Sequence, residues 1–234
     1  RRGIARCTTL NSDETSGHFG RVSVLPFLGG LYAQIGEFSR ARRLIDEAEY
    51  ELTELGARSN VVVFCGTVRA DVELLAGDLH AAEATLREQC AFLEQARNRS
   101  VFAVRAAKLA ETMYRQGRLA DAEHWTAISR ANAASDDRSV HLVLVPVEAR
   151  LLARRGALSE ARDLAESVVR LADSTDGLNL IASTRLALAE VLRMADLSGE
   201  ARRNVEEAVD AYERKGNSTS AALARELLGA EVPA

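Results

Sequence analysis

The sequence predicts an all-α fold, a solenoid built from helix–turn–helix repeats, on three observations. Its composition favours helices: 47% of the 234 residues are hydrophobic but only 5% aromatic, and there are three prolines. Alanine, leucine, arginine and glutamate suit helices, whereas strands draw on β-branched and aromatic residues. Next, a short phrase recurs: Gly36 to Ala41, Gly77 to Ala82, Gly117 to Ala122, Gly156 to Ala161 and Asp196 to Ala201, at spacings of 41, 40, 39 and 40 residues. A fixed period of roughly 20–50 residues is the mark of stacked repeats. Finally, two columns hold only small residues. Counted from the turn glycine as zero, position −7 carries Gly29, Ala70, Ala110, Ala149 and Ala189, and position +5 carries Ala41, Ala82, Ala122, Ala161 and Ala201.

Two helices joined by a tight turn need small residues where their backbones approach, so these columns read as the two sides of one crossing. The glycine fits the left-handed position that ends the first helix. Phe38, Leu79, Leu119 and Leu158 at +2 would plug the turn, with Ser198 as the exception. Leu31, Val72, Thr112, Leu151 and Val191 at −5 read as core. The glycine and the two columns match the tetratricopeptide (TPR) pattern, whose usual period is about 34. The fold class is therefore a right-handed superhelix of about five elongated TPR-like repeats with a C-terminal capping helix.

Taken in chain order, residues 1–15 read as a remnant of a preceding repeat or a disordered edge, and the chain as a fragment of a longer protein. The single repeat domain then runs over 16–229, with units near 16–56, 57–97, 98–135, 136–175 and 176–216 and a capping helix over 217–229. Residues 230–234 form a tail. First helices are expected near 18–34, 60–76, 100–116, 140–155 and 179–195. Second helices are expected near 39–55, 80–96, 120–134, 159–173 and 199–214. The linkers between units are short and polar, and Ser100, Ser139 and Ser218 are candidate N-caps within them. Pro26 and Pro146 share position −10, which predicts that those two helices start late or bend.

Chemistry is sparse. Net charge is −4, from 30 basic and 34 acidic residues, and the charges are interspersed, so no basic stripe points to nucleic acid. The apolar run from Val22 to Ile35 is about 14 residues and too short to span a bilayer. Cys7, Cys65 and Cys90 are widely spaced and unpaired in motif, which favours a reducing cytoplasm over disulfides or zinc. Cys65 and Cys90 read as small buried hydrophobes and Trp125 as core. No P-loop, dinucleotide fingerprint, His-Glu-x-x-His or nucleophile elbow occurs. His18, His80, His124 and His141 fall at unrelated phases. No catalytic, cofactor-binding or metal residue is assigned, and the chain reads as no enzyme.

Binding would fall on the face lined by first helices, at positions −6, −3 and −2. Candidate partner-binding residues there are Asp71, Glu111, Tyr114, Arg115, Arg150, Arg154, Glu190 and Arg193. The −6 column places Arg150 between two carboxylates. It reads either as a polar groove for a peptide or charged ligand, or as a solvated face with weak ion pairs between repeats.

The stretch Leu186 to Arg193, then Tyr212-Glu-Arg-Lys-Gly-Asn217 and Ala221 to Leu228, resembles the C-terminal end of large bacterial signalling proteins. Glu73 to Asp78 and Ala149 to Gly156 do so too. These are multidomain adenylate/guanylate cyclase-like and LuxR-type P-loop ATPase regulators, common in actinobacteria. The resemblance implies a sensor or scaffold arm that carries none of the family's catalytic residues. Its partners would be sister domains or another polypeptide, with self-association as a further option. A small-molecule effector held inside the superhelix is the alternative.

Overall fold

Glycines in left-handed turns, polar caps and alanine-lined crossings divide this chain into paired helices. The computed structural model describes residues 2–12 and 18–229. The expected tail over 230–234 lies outside the described residues. Helices run as α1 (Arg2–Ser12), α2 (His18–Ala33), α3 (Phe38–Glu54), α4 (Gly66–Ala76), α5 (Leu79–Gln95), α6 (Arg99–Arg115), α7 (Leu119–Asn132), α8 (Arg138–Arg154), α9 (Leu158–Asp173), α10 (Leu178–Met194), α11 (Ser198–Lys215) and α12 (Ser218–Gly229). A π-helical segment, Asn60–Cys65, leads into α4. The repeat helices follow their expected spans closely. Among the described residues all regular structure is helical, and no helix is long and apolar enough to cross a membrane.

The chain divides into two compact units, Arg1–Ala96 and Arg97–Ala234. In the first, α2 pairs with α3 and α4 with α5, while α1 packs on α2 and α2 on α4. In the second, α6 pairs with α7, α8 with α9 and α10 with α11. The first helices α6, α8 and α10 also pack in sequence, and α12 packs on α11. This is the contact pattern of a helical repeat, in which each hairpin rests on its neighbours.

The two small columns meet as their chemistry requires. Every alanine at +5 is fully buried, and so are the alanines at −7 to within 1%. In the first hairpin a Cβ added to Gly29 would stand 2.9 Å from the backbone oxygen of Ala41. The turns repeat as closely. Gly36 has φ 84° and Asp196 φ 59°. The next N–H reaches back to the carbonyl five residues earlier: Glu37 to Tyr32 at 3.0 Å, Arg118 to Met113 at 3.0 Å and Leu197 to Leu192 at 2.9 Å. This is the Schellman closure, and it satisfies carbonyls that a helix end would otherwise leave bare. In the fifth hairpin Ser198 is exposed, and Leu197 packs on the core from one position earlier.

Two expectations are corrected, and of the two alternatives for the proline helices the late start is ruled out. The N-caps are Asn98, Asp137 and Asn217, not the serines that follow them. Their side chains accept from Val101 at 3.3 Å, from Ser139 at 3.0 Å and from Ser220 at 3.1 Å. An Asx side chain one or two residues earlier sits at the non-helical turn position where its oxygen faces the free N–H groups. Trp125 is half-buried, not core, as are Leu44 and Leu164 at its phase. Pro26 and Pro146 lie well inside α2 and α8, which start no later than the others. A proline at −10 cannot donate to the carbonyl at −14. That rung is also special elsewhere. In the second hairpin the π-helical turn spans it, and Gln89 Nε2 donates to Val63 O at 3.0 Å. In the third, Ser129 Oγ donates to Ala103 O at 2.8 Å. Gln89 and Ser129 both stand at +12 of the facing helix, so one position serves the same backbone level twice.

Candidate functional site

The first helices of the second unit bring five of the eight candidate residues together. Position −6 supplies Glu111 on α6, Arg150 on α8 and Glu190 on α10, at the same level of three adjacent helices. Arg150 pairs with Glu111 through a fork of two bonds and lies 3.6 Å from Glu190. Its Nε donates to the Pro146 carbonyl at 3.0 Å, and its guanidinium lies 4.6 Å from the centre of the Tyr114 ring. Arg154 Nε donates to the Tyr114 hydroxyl at 3.2 Å, and its Nη2 lies 3.4 Å from Glu190. The Tyr114 hydroxyl in turn donates to Glu190 at 2.5 Å.

Two carboxylates and two guanidiniums thus neutralise one another around a tyrosine. Arg150 is only 8% exposed. Burial works against its charge, but Glu111 and Glu190 overcome that and hold its pKa above the ordinary value. Burial and the bond to Glu190 push the Tyr114 phenol up, which keeps it a donor. Paired and hydrogen-bonded, these charges hold one register between three helices. They offer no poised base or nucleophile. The ion pairs expected between repeats are present, and they tie three helices along one seam.

The other three candidates lie apart from this network. Arg193 donates to the Leu227 carbonyl of α12 at 3.1 Å. Arg115 is exposed at the end of α6 and acts on Tyr212, opposing the burial that pushes that phenol up to about 12. Asp71 is exposed on α4 in the first unit. Exposed charge on the face thus falls to Arg115 and Arg154, the latter with 52% of its side chain accessible.

Sequence reasoning missed a second set of charges, between positions +13 and −8 of successive hairpins. Glu49 on α3 accepts from Arg69 on α4 at 3.0 and 2.8 Å. Arg130 on α7 meets Glu148 on α8 with the polarity reversed. The signal was present as opposite signs at two columns, but it shows only when both columns are read across a junction. Arg42 likewise forks onto Glu73, whose side chain is 5% exposed.

Cys65 and Cys90 are buried, and burial pushes the Cys65 thiol up to about 12. Among the described residues no group of three or more His, Cys, Asp and Glu side chains could hold a metal ion. No protein-family model matches the sequence, and no curated protein is recognisably similar to it.

Proposed function

We propose that the chain is a TPR-like, right-handed repeat scaffold of about five elongated units, serving as a non-catalytic interaction arm. Its place would be a larger cytoplasmic signalling or transcription-regulatory ATPase or cyclase, as the resemblance of Tyr212 to Asn217 and its neighbours implies. It would bind a sister domain or another polypeptide on the face formed by the first helices. The observation that carries this reading is the seam itself. Glu111, Arg150 and Glu190 join α6, α8 and α10 into one preorganised surface and leave Arg115 and Arg154 outermost. A rigid face with projecting arginines suits recognition of a carboxylate-bearing segment, because the arginine fork matches carboxylate geometry.

The test is affinity capture with the whole chain as bait, comparing wild type with the double variant Arg115→Ala/Arg154→Ala. Arg115 is exposed and Arg154 has 52% of its side chain accessible, and circular dichroism checks that the variant folds. The reading expects capture of specific proteins to fall several-fold. Unchanged capture would move the site off this face.

A further inference from the structure

Three donors converge on the carboxylate of Glu190. The Tyr114 hydroxyl donates to it at 2.5 Å, Arg154 Nη2 lies at 3.4 Å and Arg150 Nη1 at 3.6 Å. Tyr114 stands 76 residues earlier, on α6. Since α6 packs on α8 and α8 on α10, the Tyr114–Glu190 bond reaches past the nearest helix to the next. Stacked hairpins otherwise rest on their immediate neighbours, so this bond is a brace across two junctions at once.

The two carboxylates of the seam are not held alike. Glu111 forks onto Arg150, whose side chain is 10% exposed, and that pair is complete by itself. Glu190 meets both guanidiniums at distances well beyond the roughly 2.7–2.9 Å of a charge-assisted hydrogen bond. Its side chain is 31% exposed, and it lies beside Arg154, which is the more exposed arginine. One strong bond, from the Tyr114 hydroxyl, therefore ties Glu190 to the open side of the seam. With Glu190 withdrawn, a hydroxyl, an exposed guanidinium and a buried one would face a single point, with one carboxylate left for two guanidiniums. That is a set of donors suited to another carboxylate.

We infer that Glu190 is an internal stand-in for a partner's carboxylate, and that an acidic segment of another polypeptide binds by taking its place against Tyr114, Arg154 and Arg150. The contact is autoinhibitory: the brace keeps the arginines occupied until the segment displaces Glu190. This rests on the carboxylate recognition proposed above and adds the regulation of that site. A site that is competent in only a fraction of the molecules binds more weakly by that fraction. Whatever loosens Glu190 must then tighten binding. A purely structural ion pair predicts the opposite, because its loss disorders the face that the partner meets.

The experiment titrates a fluorescein-labelled hexaglutamate peptide with the whole chain, read by fluorescence anisotropy, after circular dichroism has shown that each variant folds. Glu190→Gln is expected to tighten binding about tenfold, and Tyr114→Phe, which keeps every charge, at least about threefold. Each variant reads the proposal by itself should the other fail to fold. Adding Arg154→Ala to Glu190→Gln should abolish the gain. Glu206→Gln is the control: it neutralises an exposed carboxylate on α11, paired with Arg202, and should leave the affinity nearly unchanged. Affinity unmoved or lowered by a folded Glu190→Gln or Tyr114→Phe variant would overturn the inference. If Arg115→Ala/Arg154→Ala still weakened binding, the carboxylate reading would stand without it. An equal gain from Glu206→Gln would overturn the inference too, as an effect of bulk charge. No binding by any of these proteins at millimolar peptide would overturn both.

Discussion

Gly29 meets Ala41 backbone to backbone: the Cβ that Gly29 lacks would stand 2.9 Å from the Ala41 carbonyl oxygen. The other four hairpins carry alanine in place of Gly29. The first crossing is therefore the tightest, and a methyl group tolerated in its homologues is excluded here.

Gly29→Ala should consequently destabilise the protein. Helix propensity favours the change by about 1 kcal/mol, but overpacking against a backbone atom costs typically about 1–3 kcal/mol. The expected net loss is about 1 kcal/mol, and Gly29→Val should lose clearly more. Urea denaturation of the three proteins measures it. A more stable Gly29→Ala variant would mean that the crossing relaxes freely.

Asp196 occupies the left-handed turn that glycine fills in the other four hairpins, at φ 59°. Asp196→Gly should raise stability by a few tenths to about 1 kcal/mol, because a side chain in that conformation is strained and glycine is not. Gly156→Asp, at φ 85°, should do the reverse. Thermal melts of the pair decide the matter.

Removing Arg150 alone leaves Glu111 and Glu190 facing each other without their shared cation. Arg150→Met should cost about 1–3 kcal/mol, because the carboxylates left behind stay a quarter or more exposed and Glu190 keeps Arg154. Adding Glu111→Gln and Glu190→Gln should recover much of that loss, since neutral amides carry no uncompensated charge. A multiple-mutant cycle in urea reads the coupling. Additive losses would show that the seam contributes nothing as a unit.

The pairs Glu49–Arg69 and Arg130–Glu148 occupy the same two positions with opposite polarity. Exchanging the first pair, Glu49→Arg with Arg69→Glu, should therefore be tolerated better than either single change. The singles place like charges together and should each cost about 1 kcal/mol or more. Asp46 also touches Arg69, at 2.6 Å, so recovery should be incomplete.

Burial raises the Cys65 thiol from 9.0 to about 12. A pKa raised in the folded state stabilises fully below the unfolded value, and that contribution is lost as pH rises through the folded one. Part of the alkaline loss of stability between about pH 9 and 12 should therefore vanish in Cys65→Ala. A thiol reagent at pH 8 should modify half-buried Cys7 in the native protein and reach Cys65 and Cys90 only after guanidinium is added.

Helix boundaries, turns and the crossing were legible because each rests on local covalent properties that recur with the chain. Glycine at φ 84° ends α2, alanine at +5 admits a neighbour, and both leave a mark at a fixed period. The N-caps were not legible: Asn98, Asp137 and Asn217 each stand within two residues of a serine that could also cap, and only the backbone angle chooses between them.

The sequence by itself determined the hairpins, their order and the small-residue contacts within each, since these follow from periodicity and side-chain size. It also placed Arg150 between two carboxylates in one column. Only the tertiary structure decided that these charges are spent on one another and on Tyr114, and that Arg130 finds Glu148 across a junction. The reason is that a column gives a residue's angle around its helix but not the distance to its neighbour. Ion pairing and burial depend on that distance, and it is settled only when helices far apart in sequence pack together.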